Sequence, residues 1–353
     1  MQSSAAIDRA SFTEGLRSSG TSPTVHLVGP GRVGRAFLRE LAASPARLVA
    51  VSDSAATVFR RGGLDPLEVI AHKERHGSIA GLPGAQRVAA GLAASLVRAD
   101  VVVDATPSDP ARAAEALARC RAVLRSGARL VLAGKSALAI AAGELLAGDV
   151  GCHAALGGTG AQLVRELGFL RGAAREVALV ANASTTALFE AFEEGLGRED
   201  ALARLQERGV LEPDPTLDLD GRDAAQKLAI VARAVLGIEA TLADVEREDA
   251  RAVEPARAWL RARGGRTTRL VARAERADPR SGARARLRVA CEELPRSSPL
   301  AVPSDRVAYA YQLGDGRWRA HFGTGIGPRG TARALLADVL APHLTNGAAG
   351  GAS

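Results

Sequence analysis

The sequence predicts an α/β fold, a doubly wound parallel sheet joined to a second, α+β domain. Three observations predict it. A short apolar and β-branched run at 24–28 leads into a glycine turn and then into a segment with apolar residues at helical intervals. Strand-like and helix-like stretches alternate from there to about residue 150, a pattern that right-handed crossovers turn into a parallel sheet. Beyond that point the alternation stops, and the Arg-rich stretch 266–289 reads as antiparallel strands. A length of 353 residues, 47% hydrophobic and 24% charged, suffices for two domains.

Taken in order, residues 1–22 carry Asp8, Arg9, Glu14 and Arg17 where a signal peptide would have its apolar core, so a disordered extension is expected. The first strand spans 24–28 and the turn is Gly29-Pro30-Gly31-Arg32-Val33-Gly34, followed by a helix over 35–41. A lone GxGxxG is a weak signal, but here a second strand at 48–53 ends in an acid, Asp53, 19 residues beyond Gly34. Gly29 permits the tight turn, Gly31 lets backbone approach a pyrophosphate, and Gly34 lets helix and strand close up. Arg32 and Val33 open the helix whose amides hold the anion. The first domain is therefore of the Rossmann type and is expected to bind a dinucleotide. Asp53 at the second strand's end favours a ribose 2′-hydroxyl and NAD, whereas Arg32, Arg60 and Arg61 suit the 2′-phosphate of NADP, and the choice stays open.

A helix over 66–76, a strand at 100–104, a loop at 105–110, a helix over 111–126 and a strand at 129–133 continue the alternation. Thr106 and Lys135 fall at the carboxyl ends of these strands, where a parallel sheet binds ligands. Strands are expected near 151–156 and 176–181, with helices between and after them. The expected boundaries are 23–150 for the dinucleotide domain, 151–305 for a substrate and catalytic domain, and 306–345 for a segment returning to the nucleotide side and the dimer contact. A Gly- and Ala-rich tail at 346–353 is expected to be disordered.

The net charge of +7 does not point to nucleic acid, because the arginines are scattered and only two tryptophans and two tyrosines are available for stacking. Of the 46 basic residues 43 are arginine, which makes the three lysines, Lys73, Lys135 and Lys227, conspicuous. A guanidinium keeps its proton at any working pH, whereas an ammonium is compact and tunable. Lys227 follows Asp223 by one helical turn and Lys135 closes an apolar strand, so chemistry is the expected reason for both. The alternative for the first pair is an exposed helical ion pair. Cys120, Cys152 and Cys291 have neither metal spacing nor a disulfide framework, which suits a reducing cytoplasm and no metal. No apolar run approaches the ~18 residues of a membrane span.

Six ordered motifs resemble the homoserine dehydrogenases over nearly the whole chain, from about 25 to 340. Val51-Ser-Asp-Ser with Gly63-Leu-Asp65 and the stretch 77–84 is similar to the segment after that family's second strand, and Ala105-Thr-Pro-Ser-Asp is similar to its Thr-Pro-Thr-Asn loop. Leu132-Ala-Gly-Lys135-Ser-Ala-Leu resembles Thr-Ala-Asn-Lys-x-x-Leu, and Asn182-Ala-Ser-Thr-Thr-Ala-Leu-Phe with Glu194-Gly195 resembles Asn-Gly-Thr-Thr-Asn-Tyr-Ile-Leu. Glu212-Pro-Asp-Pro through Asp218, Gly221, Asp223 and Lys227-Leu is the most specific match, and Phe322-Gly-Thr-Gly325-Ile-Gly327 with Thr331-Ala332 resembles the closing glycine-rich segment.

The resemblance implies reversible reduction of L-aspartate 4-semialdehyde to L-homoserine with NAD or NADP, a step toward threonine, methionine and isoleucine, in a cytoplasmic homodimer. It makes Lys227 and Lys135 the candidates that supply the alkoxide's proton, with Asp223 orienting Lys227. Glu212 would bind the substrate's ammonium and Asp218 its amino-acid end, although for both Asp218 and Asp223 the alternative is an ordinary helix cap, since each is an Asp before an apolar-periodic run. Gly158 and Thr159 would border the substrate, and Thr106, Lys135 and Gly325 would join the glycine loop at the cofactor.

Departures are as informative as matches. The chain has Gly157-Gly-Thr-Gly160-Ala-Gln162 where the family usually has Gly-Gly-x-Pro-Ile-Ile, and losing that proline should free the loop. Cys152 or His153 stands where the family commonly has an acid beside a monovalent cation, so no cation is expected. Ala183 and Gly134 replace Gly and Asn. A chain ending at Ser353 leaves no room for the family's optional regulatory domain, so threonine feedback is not expected. Two rival readings are a paralogue reducing another small amino aldehyde or oxo acid, and a dinucleotide-binding regulatory protein without turnover. Intact Lys135, Glu212, Asp223 and Lys227 argue against the second.

Overall fold

A computed structural model describes residues 22–88, 99–211, 216–276, 285–324 and 327–342. The chain divides into two compact units, one made of 1–137, 144–155 and 327–353, the other of 138–143 and 156–326.

The first unit carries a seven-stranded sheet of β1 (Thr24–Val28), β2 (Arg47–Ser52), β3 (Thr57–Phe59), β4 (Gln86–Val88), β5 (Val101–Asp104), β6 (Arg129–Leu132) and β7 (Val150–Gly151), in the order β4-β3-β2-β1-β5-β6-β7. From β2 to β7 all pairs are parallel, whereas β3 and β4 add an antiparallel edge that the sequence reading missed. Three-residue strands are too short to show a period. Helices α1 (Arg32–Leu41), α2 (Pro66–His76) and α3 (Ala113–Arg125) alternate with the strands, and α4 (Ser136–Leu145) follows β6, with its residues 138–143 counted in the second unit. The bounds of α2 match the sequence expectation because local signals set both ends. Asp65 accepts the Leu67 amide at 2.8 Å, Pro66 starts the helix, and Gly77 at φ +70° closes it. Val25, Leu27, Val51, Val101, Val103 and Val131 are buried in one core with Phe37, Leu38 and Leu41 of α1. Strands buried on both faces explain why these runs are apolar without alternation.

The second unit holds helices α5 (Gly160–Ala173), α6 (Ala183–Glu193), α7 (Arg198–Glu207), α8 (Thr216–Leu219), α9 (Arg222–Val231) and α10 (Pro255–Arg263). Its six-stranded sheet runs β13-β12-β8-β10-β11-β9, from β8 (Ala174–Val180), β9 (Glu246–Arg247), β10 (Arg266–Glu275), β11 (Arg286–Pro295), β12 (Val307–Leu313) and β13 (Trp318–Gly323). As the Arg-rich stretch suggested, β10 and β11 pair antiparallel, from Arg266 opposite Pro295 to Glu275 opposite Arg286.

Three expectations are corrected. The strand expected at 151–156 is only β7, which pairs parallel with β6 and so belongs to the first unit, and the division falls after 155 instead of 150. The chain does not leave the second unit at 306, because β12 pairs with β8 and β13 with β12. Only α11 (Gly327–Leu340) returns, and its Ala332, Leu335 and Val339 enter the core beside α1.

Candidate active site

In the first unit the strand order reverses at β1, between β2 and β5, the crevice where open parallel sheets bind ligands. The loops after these strands meet there. Gly29 N–H donates to Ser52 O at 2.9 Å, and Ala105 N–H donates to Val28 O at 2.8 Å.

Each glycine of the turn has its own physical reason. Gly29 has φ +89°, and a Cβ on it would stand 2.9 Å from Ala105 C and Thr106 N. A Cβ on Gly34 would stand 2.2 Å from Gly29 O, so only glycine lets α1 close on the turn. A Cβ on Gly31 would meet nothing within 4 Å. Gly31 therefore guards space beside the start of α1, where no side chain caps the helix and Arg32 and Val33 open it. Open volume at uncapped helix amides fits a pyrophosphate.

Thr106 is held by neighbours that sequence reasoning missed. Its hydroxyl and amide both donate to Asp104 Oδ1, at 2.6 and 3.0 Å, while Arg119 Nε donates to Asp104 Oδ2 at 2.8 Å. Asp104 ends β5 two residues before Thr106, a short-range side-chain turn that could have been read from Asp104-x-Thr106. Lys135 lies beside the same loop, its amide donating to Ser108 Oγ at 2.9 Å. A Cβ on Gly134 would stand 3.1 Å from Thr106 O, a close approach between this position and the loop after β5.

Asp53 is engaged differently from the expectation. Its Oδ1 accepts the Ala55 and Ala56 amides at 2.9 and 3.1 Å, and its Oδ2 accepts Lys73 Nζ at 2.8 Å, Ile79 N at 3.0 Å and Ser78 Oγ at 3.2 Å. Burial alone would push this carboxyl up, but the bonds from Lys73 and the Ile79, Ala55 and Ala56 amides outweigh it and bring the pKa down to about 2. Lys73, the lysine without an assigned role, is thus the partner of Asp53. Arg60 turns to Pro83 O at 2.7 Å and Gly84 O at 3.1 Å.

In the second unit, β8 runs through Ala181 into Asn182, whose Oδ1 accepts the Thr185 amide at 3.0 Å and caps α6. Its Nδ2 faces Asp223 Oδ2 at 3.4 Å. Asp223 sits in the first turn of α9, and one turn later Lys227 Nζ donates to both Asp223 Oδ2 and Ala181 O, each at 2.6 Å. With side chains only 12% and 22% exposed, Lys227 and Asp223 are not the surface pair of the alternative reading. Nor is Asp223 a cap. The amide of Arg222 goes instead to Asp220 Oδ1 at 3.0 Å. The tertiary partners, Ala181 O and Asn182, are the part that spacing did not give.

The 157–162 loop is braced where loss of the proline suggested freedom. Thr159 is fully buried and its hydroxyl donates to Leu156 O at 2.8 Å, so the side chain supports the loop and does not face a ligand. Gly158 has φ +86°, a Cβ on Gly323 would stand 2.4 Å from Gly157 O, and Gln162 Nε2 donates to Phe322 O at 3.1 Å. Glu212 and Gly325 lie outside the described residues, and Asp218 is placed only as a position in α8.

Comparison with known proteins agrees with this picture. The homoserine dehydrogenase family model matches residues 168–340, and the model for glutamate, leucine, phenylalanine and valine dehydrogenases matches 9–134. Homoserine dehydrogenase of Methanocaldococcus jannaschii is 29% identical over 310 residues, 85% of this chain and 89% of that protein. The NAD(+)-dependent homoserine dehydrogenase of Pseudomonas canavaninivorans is 26% identical over 339 residues, 90% of this chain and 95% of that one. A solved structure of a homoserine dehydrogenase described as putative, from Archaeoglobus fulgidus, shares the fold with a TM-score of 0.71 at 24% identity, over 90% of this chain and 98% of its own. Motifs distributed through both units and relatives matched over nearly their full length lead to one conclusion: the chain is similar to homoserine dehydrogenases through both of its units.

Proposed function

We infer that the protein is an NAD(P)-dependent homoserine dehydrogenase, an oxidoreductase that interconverts L-aspartate 4-semialdehyde and L-homoserine. The observation that carries this reading is the Lys227 ammonium, held at 2.6 Å by both Ala181 O and Asp223 Oδ2. Among the described residues, two of its three protons have acceptors. The third is assigned to the substrate oxygen.

When bound, the nicotinamide supplies or takes the hydride at the carbon that changes oxidation state. The residues of this chain deal with the oxygen. As the aldehyde carbon gains its C–H bond the oxygen gains the electron pair of the C=O π bond, and Lys227 stabilises that charge and transfers a proton from Nζ to make the hydroxyl. The neutral amine left behind stays hydrogen-bonded beside the Asp223 carboxylate, which favours taking a proton back. In the oxidation direction the same nitrogen accepts the hydroxyl proton.

By the family resemblance Lys135 is the second candidate for this role, Glu212 receives the substrate's ammonium, and Asp218 its amino-acid end. Gly158 contributes backbone at the loop, while Thr159 supports it from behind. The same reading makes the protein a cytoplasmic homodimer. Trp318 and Phe322, half-exposed four residues apart on one face of β13, support a contact between copies, and three free cysteines suit a reducing compartment. Among the described residues no helix is long and apolar enough to cross a membrane.

The test is nicotinamide absorbance with purified protein, L-homoserine and either NAD or NADP. Homoserine-dependent formation of the reduced nucleotide is expected. A folded protein that binds the nucleotide yet shows no homoserine-dependent signal with either would overturn the reading.

A further inference from the structure

We propose that Gln162 is a positioning residue for the substrate loop 157–160: its side-chain amide ties the first turn of α5 to the end of β13 and so holds the Gly158 backbone in place for L-homoserine. The proposal rests on the homoserine dehydrogenase reading of the site and names the side chain on which the loop's geometry depends. Gly157 at φ +62° and Gly158 at φ +86° have no side chains to fix the backbone. Thr159 ends the loop at φ −108°, ψ −11°, in the α region. A proline at 160 would disfavour that conformation in the residue before it. Gly160 therefore goes together with the inward turn of the Thr159 hydroxyl to Leu156 O at 2.8 Å, and the loop forgoes the fixed φ that a proline supplies.

Contact with β13 takes its place. A Cβ on Gly323 would stand 2.4 Å from Gly157 O, and a Cβ on Gly158 3.1 Å from Thr324 N, so the two backbones touch. Van der Waals contact limits approach without fixing register, whereas a hydrogen bond has a direction. Gln162 Nε2 supplies one to Phe322 O at 3.1 Å, next to Gly323. Further along the same face of α5, Glu166 pairs with Arg319, with His321 Nε2 2.9 Å away, and Arg319 lies 5.9 Å over the Phe169 ring. Gln162 is the member of this row nearest the loop. Stability does not explain it. Its Oε1 is buried and has no hydrogen-bond partner among the described residues, and an unsatisfied buried acceptor destabilises a fold. An apolar side chain of the same length would avoid that cost, so the one directed bond is what the amide contributes.

Initial rates with L-homoserine, calorimetric titration of the nucleotide that wild type uses, and thermal unfolding compare wild type, Gln162→Met and Gln162→Glu. Methionine keeps the length and removes the donor; glutamate keeps the shape and sets an oxygen against Phe322 O. Both are expected to raise KM for homoserine roughly tenfold while kcat stays within about threefold, because the loop holds ground state and transition state alike. Nucleotide affinity should stay within about threefold of wild type, and Gln162→Met should melt no lower than wild type. An unchanged KM in folded Gln162→Met would overturn the proposal. So would failure of that variant to fold, or a KM rise matched by an equal loss of nucleotide affinity, since either marks general loosening. Wild type without homoserine turnover would instead remove the reading on which the proposal rests.

Discussion

Replacing Lys227 with arginine separates chemistry from structure in a protein that uses arginine at 43 of its 46 basic positions. The charge is kept, so the attraction to Asp223 is kept. What changes is geometry and proton exchange. Ala181 O and Asp223 Oδ2 converge on one nitrogen, each at 2.6 Å, and a point donor meets both while leaving a third N–H for a substrate. A planar fork distributes its donors over several nitrogens and does not release a proton near neutrality. Loss of a positioned general acid typically removes ~10²–10⁴ of rate, equivalent to about 3–5 kcal/mol of barrier. The structural side is smaller. An exposed i,i+4 pair contributes ~0.2–0.5 kcal/mol, and even a hydrogen bond to a charged group contributes only ~1.5–3 kcal/mol, to be discounted for the partial exposure of this pair. Lys227→Arg is therefore expected to melt within a few degrees of wild type while kcat for homoserine oxidation falls at least a hundredfold, or ~2.7 kcal/mol. Lys227→Met, which leaves Asp223 without its cation, should lose both activity and some stability. The assay is initial-rate nicotinamide absorbance with thermal unfolding on the same samples. A Lys227→Arg enzyme with wild-type kcat would refute the proton-transfer role.

Two further outcomes follow from other parts of the fold. Gly31→Val places its Cβ where nothing stands within 4 Å, and its side chain fills the space left for the pyrophosphate; dinucleotide affinity should fall by roughly tenfold or more at little changed melting temperature, and undiminished binding by calorimetry would take this turn out of the site. Asp338 of α11 is buried and accepts the His153 amide at 2.8 Å, and burial raises its pKa from 3.8 to about 6 against the opposing pull of that bond and of Arg129. Because the folded state holds this proton more tightly than the unfolded chain, stability is greatest below the unfolded pKa and declines as pH rises through about 6. At ~1.36 kcal/mol per pH unit the gap amounts to about 3 kcal/mol. Asp338→Asn keeps an acceptor without the charge, so urea unfolding should show it more stable than wild type at pH 8, with most of the advantage gone at pH 4; an equal difference at both would contradict the assignment.

The fold of the first unit was legible because its signals are local. A strand running into Gly29-Pro-Gly31-Arg-Val-Gly34 and then into a helix, or Asp65-Pro66 opening α2 and Gly77 closing it, depends on backbone preferences expressed within a few residues. So does the helical spacing of Asp223 and Lys227. The edge strands β3 and β4 were not legible, because three residues carry no period and their pairing is supplied by neighbours. The place of Gly151 in the first sheet was hidden for the same reason, since two residues become a strand only by lying beside β6.

The sequence by itself determined the fold class and the need for glycine in the turn after the first strand, and it singled out three lysines among 46 basic residues, since each follows from covalent geometry or the chemistry of one residue type. Only tertiary structure decided what those residues touch. It gave Lys227 the carbonyl of Ala181, 46 positions away, turned the Thr159 hydroxyl inward to Leu156, and brought Lys73 from 20 positions along the chain to Asp53. A hydrogen bond is set by ångström distances between groups that the fold brings together, and separation along the chain does not encode that distance. An acid at the end of a second strand reads as a ribose acceptor until its partners are seen; five protein donors then fill its lone pairs, and the same residue type serves another purpose.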